Sequence, residues 1–229
     1  SHHLWPDAAR EGHMLAFDDA SRLADRKWEH VFAEIYPEYR AHIAAELGLP
    51  SRDTLAVSSN THDFLLRIVS AWPRRQVRIL STDGEFHSFR RQAARWSEDG
   101  DITIERVPLE PHDTFAQRFL RRAQSGEHDI IVASHVFFRT GRVFDEAFGL
   151  ADLARPEGPW VVIDGYHGFM ALPTRLAAVA DRVFYVAGGY KYAMAGEGAC
   201  FLHAPPGFAP RPAITGWFAE FADLAGPPG

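Results

Sequence analysis

Lys191 stands between Tyr190 and Tyr192 in the small-residue stretch Ala187-Gly-Gly-Tyr-Lys-Tyr-Ala-Met-Ala-Gly-Glu-Gly198. A lysine among Ala, Gly, Met and Tyr is poorly solvated, and desolvation lowers its pKa until the amine can act as a nucleophile. Asp164 lies 27 residues earlier, directly behind the apolar run Val161-Val-Ile163, and opens Asp164-Gly-Tyr-His167-Gly168. A carboxylate in that position is expensive to bury unless a cation faces it. Ser58-Ser-Asn60-Thr61 precedes a helical stretch. It offers backbone N–H groups and hydroxyls to an anion, or forms a plain N-cap. Phe86 either lays its ring on a planar ligand or packs under its own helix. Ser134-His-Val-Phe-Phe-Arg139-Thr140-Gly141 ends in a turn signal, with Arg139 and Thr140 placed for polar work or on a surface turn. An amine, a buried carboxylate, an anion cradle and an aromatic face form the set that pyridoxal phosphate needs. They serve a Schiff base to its aldehyde, a partner for its pyridinium nitrogen, donors for its phosphate and a cover for its ring.

Elements that would position these groups alternate along the chain. Short apolar runs at Thr54–Val57, Val77–Leu80, Ile102–Val107, Ile130–Ala133, Val161–Ile163, Val183–Val186 and Ala199–Leu202 read as strands. Between them, Asp63–Trp72, Phe86–Trp96, Thr114–Ala123 and Glu146–Ala154 read as helices. Alternation of this kind predicts an α/β fold, a three-layer α/β/α sandwich with a mostly parallel sheet covered on both faces. Working groups in such sheets sit at the carboxyl ends of the strands, where every residue named above falls. Asp7–Leu47 reads as helix-rich, with Trp28, Val31, Phe32, Ile35 and Tyr39 at helical spacing toward a core.

Composition narrows the function classes. The 229 residues carry 24 Lys and Arg against 30 Asp and Glu, a net charge of −6, and no basic tract, which argues against a nucleic-acid partner. No apolar run is long enough for a membrane span, and Arg10 and Glu11 interrupt the start before a signal peptide could form. The single cysteine, Cys200, forbids an intrachain disulfide and fits a cytoplasmic, reducing setting. The 12 histidines are scattered, with no His-Glu-x-x-His or Cys/His cluster, so no metal site is expected.

On these motifs the chain resembles the class V aminotransferase-like group of fold-type I pyridoxal-phosphate enzymes, and within it kynureninase most of all. The Asp-x-x-His at Asp164–His167 followed by Tyr190-Lys191 is the most specific element. The resemblance implies that Lys191 forms the Schiff base and shuttles protons, with Tyr190 beside it on the phosphate. It implies that Asn60 and Thr61 bind the phosphate and Phe86 stacks on the ring. Asp164 would pair with the ring nitrogen, and His167 and Thr140 would support the site. Trp217, in Ile214-Thr-Gly-Trp217-Phe218, would approach the cofactor of a partner subunit, as in a homodimer. The implied reaction is hydrolytic Cβ–Cγ cleavage of an amino acid, L-kynurenine to anthranilate and alanine. An aminotransferase, desulfurase or epimerase acting on another amino acid, or a non-catalytic cofactor-binding paralogue, stays open. Two departures bear on substrate: Phe89 stands where an acidic residue is usual, and Ala219-Glu220 where Gly-His is usual. The group continues into a small carboxy-terminal domain that is absent here. The expected organisation is therefore a helical segment over 1–50 and a cofactor-binding large domain over 51–229, incomplete at its end.

Overall fold

The computed structural model describes residues 4–216 and Gly226. Trp217 lies outside the described residues. Seven strands build one sheet: β1 (Leu55–Ser58), β2 (Val77–Thr82), β3 (Ile102–Val107), β4 (Ile130–Ser134), β5 (Trp160–Asp164), β6 (Val183–Gly188) and β7 (Cys200–His203). Their order is β1-β7-β6-β5-β4-β2-β3, with β7 antiparallel to both neighbours and every other pair parallel. All residues of β4, β6 and β7 are buried, as expected of apolar strands covered on both faces.

The helices are α1 (Asp7–Leu23), α2 (Lys27–His30), α3 (Tyr36–Leu47), α4 (Thr61–Ser70), α5 (His87–Glu98) and α6 (His112–Ala123). Helices α4 and α5 pack together on one face of the sheet, and α6 with the 3₁₀ segment Asp145–Asp152 on the other. Each buries a stripe at helical spacing: Phe64, Leu65, Ile68 and Val69 on α4, and Phe115, Phe119 and Ala123 on α6. Under α6, Phe115, Phe119 and Phe144 meet at ring separations of 5.0 to 5.7 Å, with Phe137 edge-on to Phe115 at 5.4 Å. Among the described residues no helix is long and apolar enough to cross a membrane.

Two expectations need correction. Glu146–Ala154 is not an α-helix: its turns close through i to i+3 bonds such as Ala147 N–H to the Phe144 carbonyl. Gly149 disfavours a longer α-helix there, and Ala147, Leu150 and Ala151 still face inward. The stripe from Trp28 to Tyr39 does not face the core of this chain. Trp28, Val31 and Phe32 are half-buried and Ile35 is 45% exposed. Only Tyr39 packs on the core, its hydroxyl donating to the Ala199 carbonyl at 2.9 Å. Burial begins further on, at Ile43, Ala44 and Leu47 of α3.

The ends of β2 and β4 are joined by a glutamate. Glu85 is 1% exposed. Its Oε1 accepts from the Thr82 hydroxyl at 2.7 Å and from the Ser134 N–H at 3.1 Å, and its Oε2 accepts from the Ser134 hydroxyl at 2.6 Å. Ser134 is in turn the register partner of Asp164 on β5. Burial pushes the Glu85 carboxyl up to about 7, against the pull of its hydroxyl donors. Between its ordinary value of 4.5 and about 7 the folded chain therefore holds a proton that the unfolded chain has released. That contribution to stability is fully present at low pH and is lost as pH rises through 7. His167, whose pKa is lowered, has the opposite slope below its ordinary value, so the test is a difference between two proteins. The stability of the native chain minus that of Glu85→Gln, from urea melts, is expected to fall by up to roughly 3 kcal/mol from pH 4.5 to just above 7. A difference that is flat or rises with pH would refute the buried-acid reading.

Candidate functional site

A cavity of about 470 Å³ opens at the carboxyl ends of β5 and β6, against the first turns of α4 and α5. Asn60, Thr61, Phe86, Asp164, His167, Tyr190 and Lys191 all line it. A wider groove of about 740 Å³ runs beside β1 and α4, but its lining is mainly apolar, and among the described residues Arg67 is its one charged side chain. The ionisable groups converge in the smaller cavity.

Lys191 is 5% exposed. Its Nζ lies 2.5 Å from His167 Nε2, 4.6 Å from the centre of the Tyr166 ring and 5.5 Å from that of Phe86. Burial brings its pKa down to about 8, against the opposing pull of Asp164. Burial, then the neighbouring ammonium, lowers His167 to about 4. A neutral imidazole has a lone pair for the lysine, so Nε2 accepts and the ring proton belongs on Nδ1.

Asp164 Oδ1 accepts from the Tyr166 N–H at 2.9 Å. It is half-buried and lines the cavity. Desolvation accordingly raises its pKa, with the Tyr166 N–H and Lys191 pulling the other way. The loop behind it is threaded closely. A Cβ on Gly165 would land on the Tyr185 hydroxyl, and one on Gly188 would land between the Tyr166 hydroxyl and Cys200 Sγ.

Asn60 caps α4. Its Oδ1 accepts from Asp63 N–H at 3.0 Å and its Nδ2 donates to Asp63 Oδ2 at 3.1 Å. This bond satisfies one donor of the helix start, while the N–H of Thr61 is directed at the thiol of Cys200. Phe86 adopts extended backbone at the start of α5, with its ring edge-on to Phe138 at 5.2 Å and 6.2 Å from His167. Tyr190 stands edge-on to Tyr166 at 5.3 Å.

Thr140 is not part of this cavity, contrary to the reading from sequence. It is exposed in the turn closed by Gly141 N–H on the Phe137 carbonyl at 2.8 Å, and its hydroxyl accepts from Arg142 N–H at 3.3 Å. Gly141 takes a φ of 68°, which carries the chain away from the site. Phe138, two residues earlier, reaches the site instead. Three residues with a part here were missed. Tyr166 lies inside the Asp-x-x-His motif and was readable there as a second aromatic. Cys200 reaches the cavity because β7 pairs it with Gly188, and its Sγ is 3.4 Å from the Tyr166 hydroxyl. Glu85 meets Ser134 across 49 positions of sequence, and no local signal announces it. Phe89, at the position where an acid was expected, is buried at the base of the cavity.

The donor set suits pyridoxal phosphate. It comprises an amine shifted toward neutrality, a carboxylate with one oxygen left for a cation, a ring face at Phe86 and a capped helix start beside Tyr190. Comparison with known proteins agrees with this. The family profile described as aminotransferase class V matches residues 19–206. No curated protein matches the chain. Among solved structures, a cysteine desulfurase from Thermococcus onnurineus NA1 superposes with a TM-score of 0.68 at 17% identity, over 90% of this chain and 52% of that one. The cysteine desulfurase CsdA of Escherichia coli gives 0.70 at 20% identity, over 89% and 52%. The cystine C-S lyase C-DES, in complex with cysteine persulfide, gives 0.73 at 18% identity, over 90% and 55%. The chain thus spans about half the length of these structures, and at such identities the likeness is one of fold. The family match covers well over half of the sequence, and the chain belongs to the class V aminotransferase family.

Proposed function

We propose that this chain is the cofactor-binding part of a pyridoxal-phosphate-dependent enzyme that acts on an amino acid, with Lys191 as the residue that holds the cofactor. The observation that carries this is Lys191 Nζ at 2.5 Å from neutral His167, shifted to about 8, in one cavity with the buried Asp164. Pyridoxal phosphate supplies a carbonyl that bonds an amine and a cationic ring that draws electrons from the substrate's Cα. The rest falls to the protein. With a pKa of about 8, roughly a tenth of Lys191 is neutral at pH 7, against roughly one in three thousand at the ordinary value. His167 Nε2 takes up the hydrogen bond of the ammonium and keeps Nζ aimed into the cavity. Asp164 would hold a proton on the ring nitrogen through its free oxygen. Asn60, Thr61 and Tyr190 would hold the phosphate, and Phe86 would shield one ring face. Support also comes from C-DES, a lysine-to-alanine variant of which carries glycine covalently linked to its PLP cofactor.

Within this class, the Asp-x-x-His and Tyr-Lys motifs favour kynureninase-like hydrolysis of a Cβ–Cγ bond. A second reading, desulfurase or C–S lyase chemistry, is favoured by the cysteine desulfurases and the cystine lyase among the structural neighbours. Residues 1–50 are then a helical appendage to a large domain over 51–229. Helix α1 presents Met14, Leu15 and Phe17 at 49 to 66% exposure, which fits a homodimer contact. The lone cysteine fits a cytoplasmic setting.

Borohydride reduction of the cofactor-loaded protein and peptide mapping should place the label on Lys191, and Lys191→Ala should lose both label and activity. A label on another lysine overturns the assignment. Anthranilate fluorescence with L-kynurenine and sulfide release with L-cysteine separate the two readings of the reaction. The initial rate of covalent cofactor attachment, followed by visible absorbance, should rise with pH and level off above about 8. A rate still climbing beyond pH 10 would mean that Lys191 is an ordinary, solvated lysine.

A further inference from the structure

The first turn of α5 has a second side. Phe86, Ser88 and Phe89 face the cofactor cavity, whereas His87, Arg90, Arg91 and Ala94 share the opposite face at i, i+3, i+4 and i+7 spacing. Opposite that face lies Arg106 of the edge strand β3. Alternation along β3 sends Glu105 to the α6 side, where it pairs with Arg122 and His128, and so sends Arg106 to the α5 side. Together with Asp83 these residues line a groove of about 520 Å³.

The charges in this groove contrast with those of the groove lined by Arg74, Arg75 and Arg78. There Asp101 and Asp129 pair with all three arginines. Among the described residues, Arg90, Arg91 and Arg106 have no carboxylate in ion-pair reach, in a chain of net charge −6. Among the described residues Asp83 is the one carboxylate lining the groove, and its Oδ1 is already engaged by the Leu109 N–H at 2.8 Å. Three guanidinium groups against one carboxylate leave a net charge of +2 with His87 neutral. Clustering like charges without partners costs free energy, and a multivalent anion relieves that cost.

We infer that this groove is a binding site for a dianionic group of the phosphate-monoester class, separate from the anion cradle at Asn60 and Thr61. Guanidinium forks match the oxygens of a tetrahedral dianion, and a net +2 charge matches its own. The proposal does not depend on the cofactor assignment, because the α5 turn stands between the two sites.

Its test is calorimetric titration of inorganic phosphate into the cofactor-loaded full chain at low ionic strength, so that the cradle is already filled. One saturable site is expected. The double variant Arg91→Gln, Arg106→Gln should weaken it by about tenfold or more, with melting temperature unchanged. Asp83→Asn keeps the acceptor for Leu109 and removes the negative charge, so it should tighten binding. Equal affinity in all three proteins, or no saturation, would mean an adventitious ion only and overturn the inference. Tighter binding of an acidic peptide than of phosphate would also overturn it, in favour of a protein partner.

Discussion

The site depends on keeping an ammonium and a carboxylate out of water at the ends of two adjacent parallel strands. β5 and β6 are apolar along their length, and register sets Asp164 opposite Val186. Ionised groups are too costly in the middle of such strands, so Asp164 is the last residue of β5 and Lys191 follows the end of β6. The chain after β6 then loops across the strand ends through residues 189–199 and returns antiparallel as β7. Gly188 and Gly189 make that possible: a Cβ on Gly188 would meet Tyr166 and Cys200, and one on Gly189 would meet Ala195. Lys191 is buried in this loop, and its pKa is low because it is buried.

Three consecutive residues after β2 show how little chain is needed to separate different environments. Glu85 points between β2 and β4 and ties their ends through Ser134. Phe86 points into the cofactor cavity, and His87 points into the arginine-lined groove, its ring still only 4.2 Å from that of Phe86. The turn works because Gly84 lies where a Cβ would collide with Leu109. The helix start is thus pinned by a buried acid on one side and framed by two polar cavities on the others.

What was legible in the sequence follows from this physics. Asp164 and Lys191 stood out because their surroundings are local: an apolar strand before one, small residues around the other. The seven strands were readable for the same reason, to within two residues at their ends. Glu85 was hidden, because a glutamate in a turn reads as solvated until β4 is known to deliver Ser134 beside it. Thr140 was misread because a turn signal does not say in which direction the turn leads. The stripe through Trp28 and Ile35 carried a correct periodicity, but periodicity shows that a helix has an apolar face and not what covers it. The groove at Arg91 and Arg106 needed two elements that no local pattern links.

Three ionisable groups of the cavity, and Glu85 beside it, share one tendency. Burial raises Asp164 and Glu85 and lowers Lys191 and His167, so each is driven toward its uncharged form. Such a cavity is poor at holding charge in itself and well suited to a ligand that brings charge with it. A cation beside the free oxygen of Asp164 would restore its ionisation, and an anion would meet the positive end of α4, which the Asn60 cap holds in place. Ligand binding and proton uptake or release are then one coupled event, and the sheet that makes the site dry is also what makes that coupling strong.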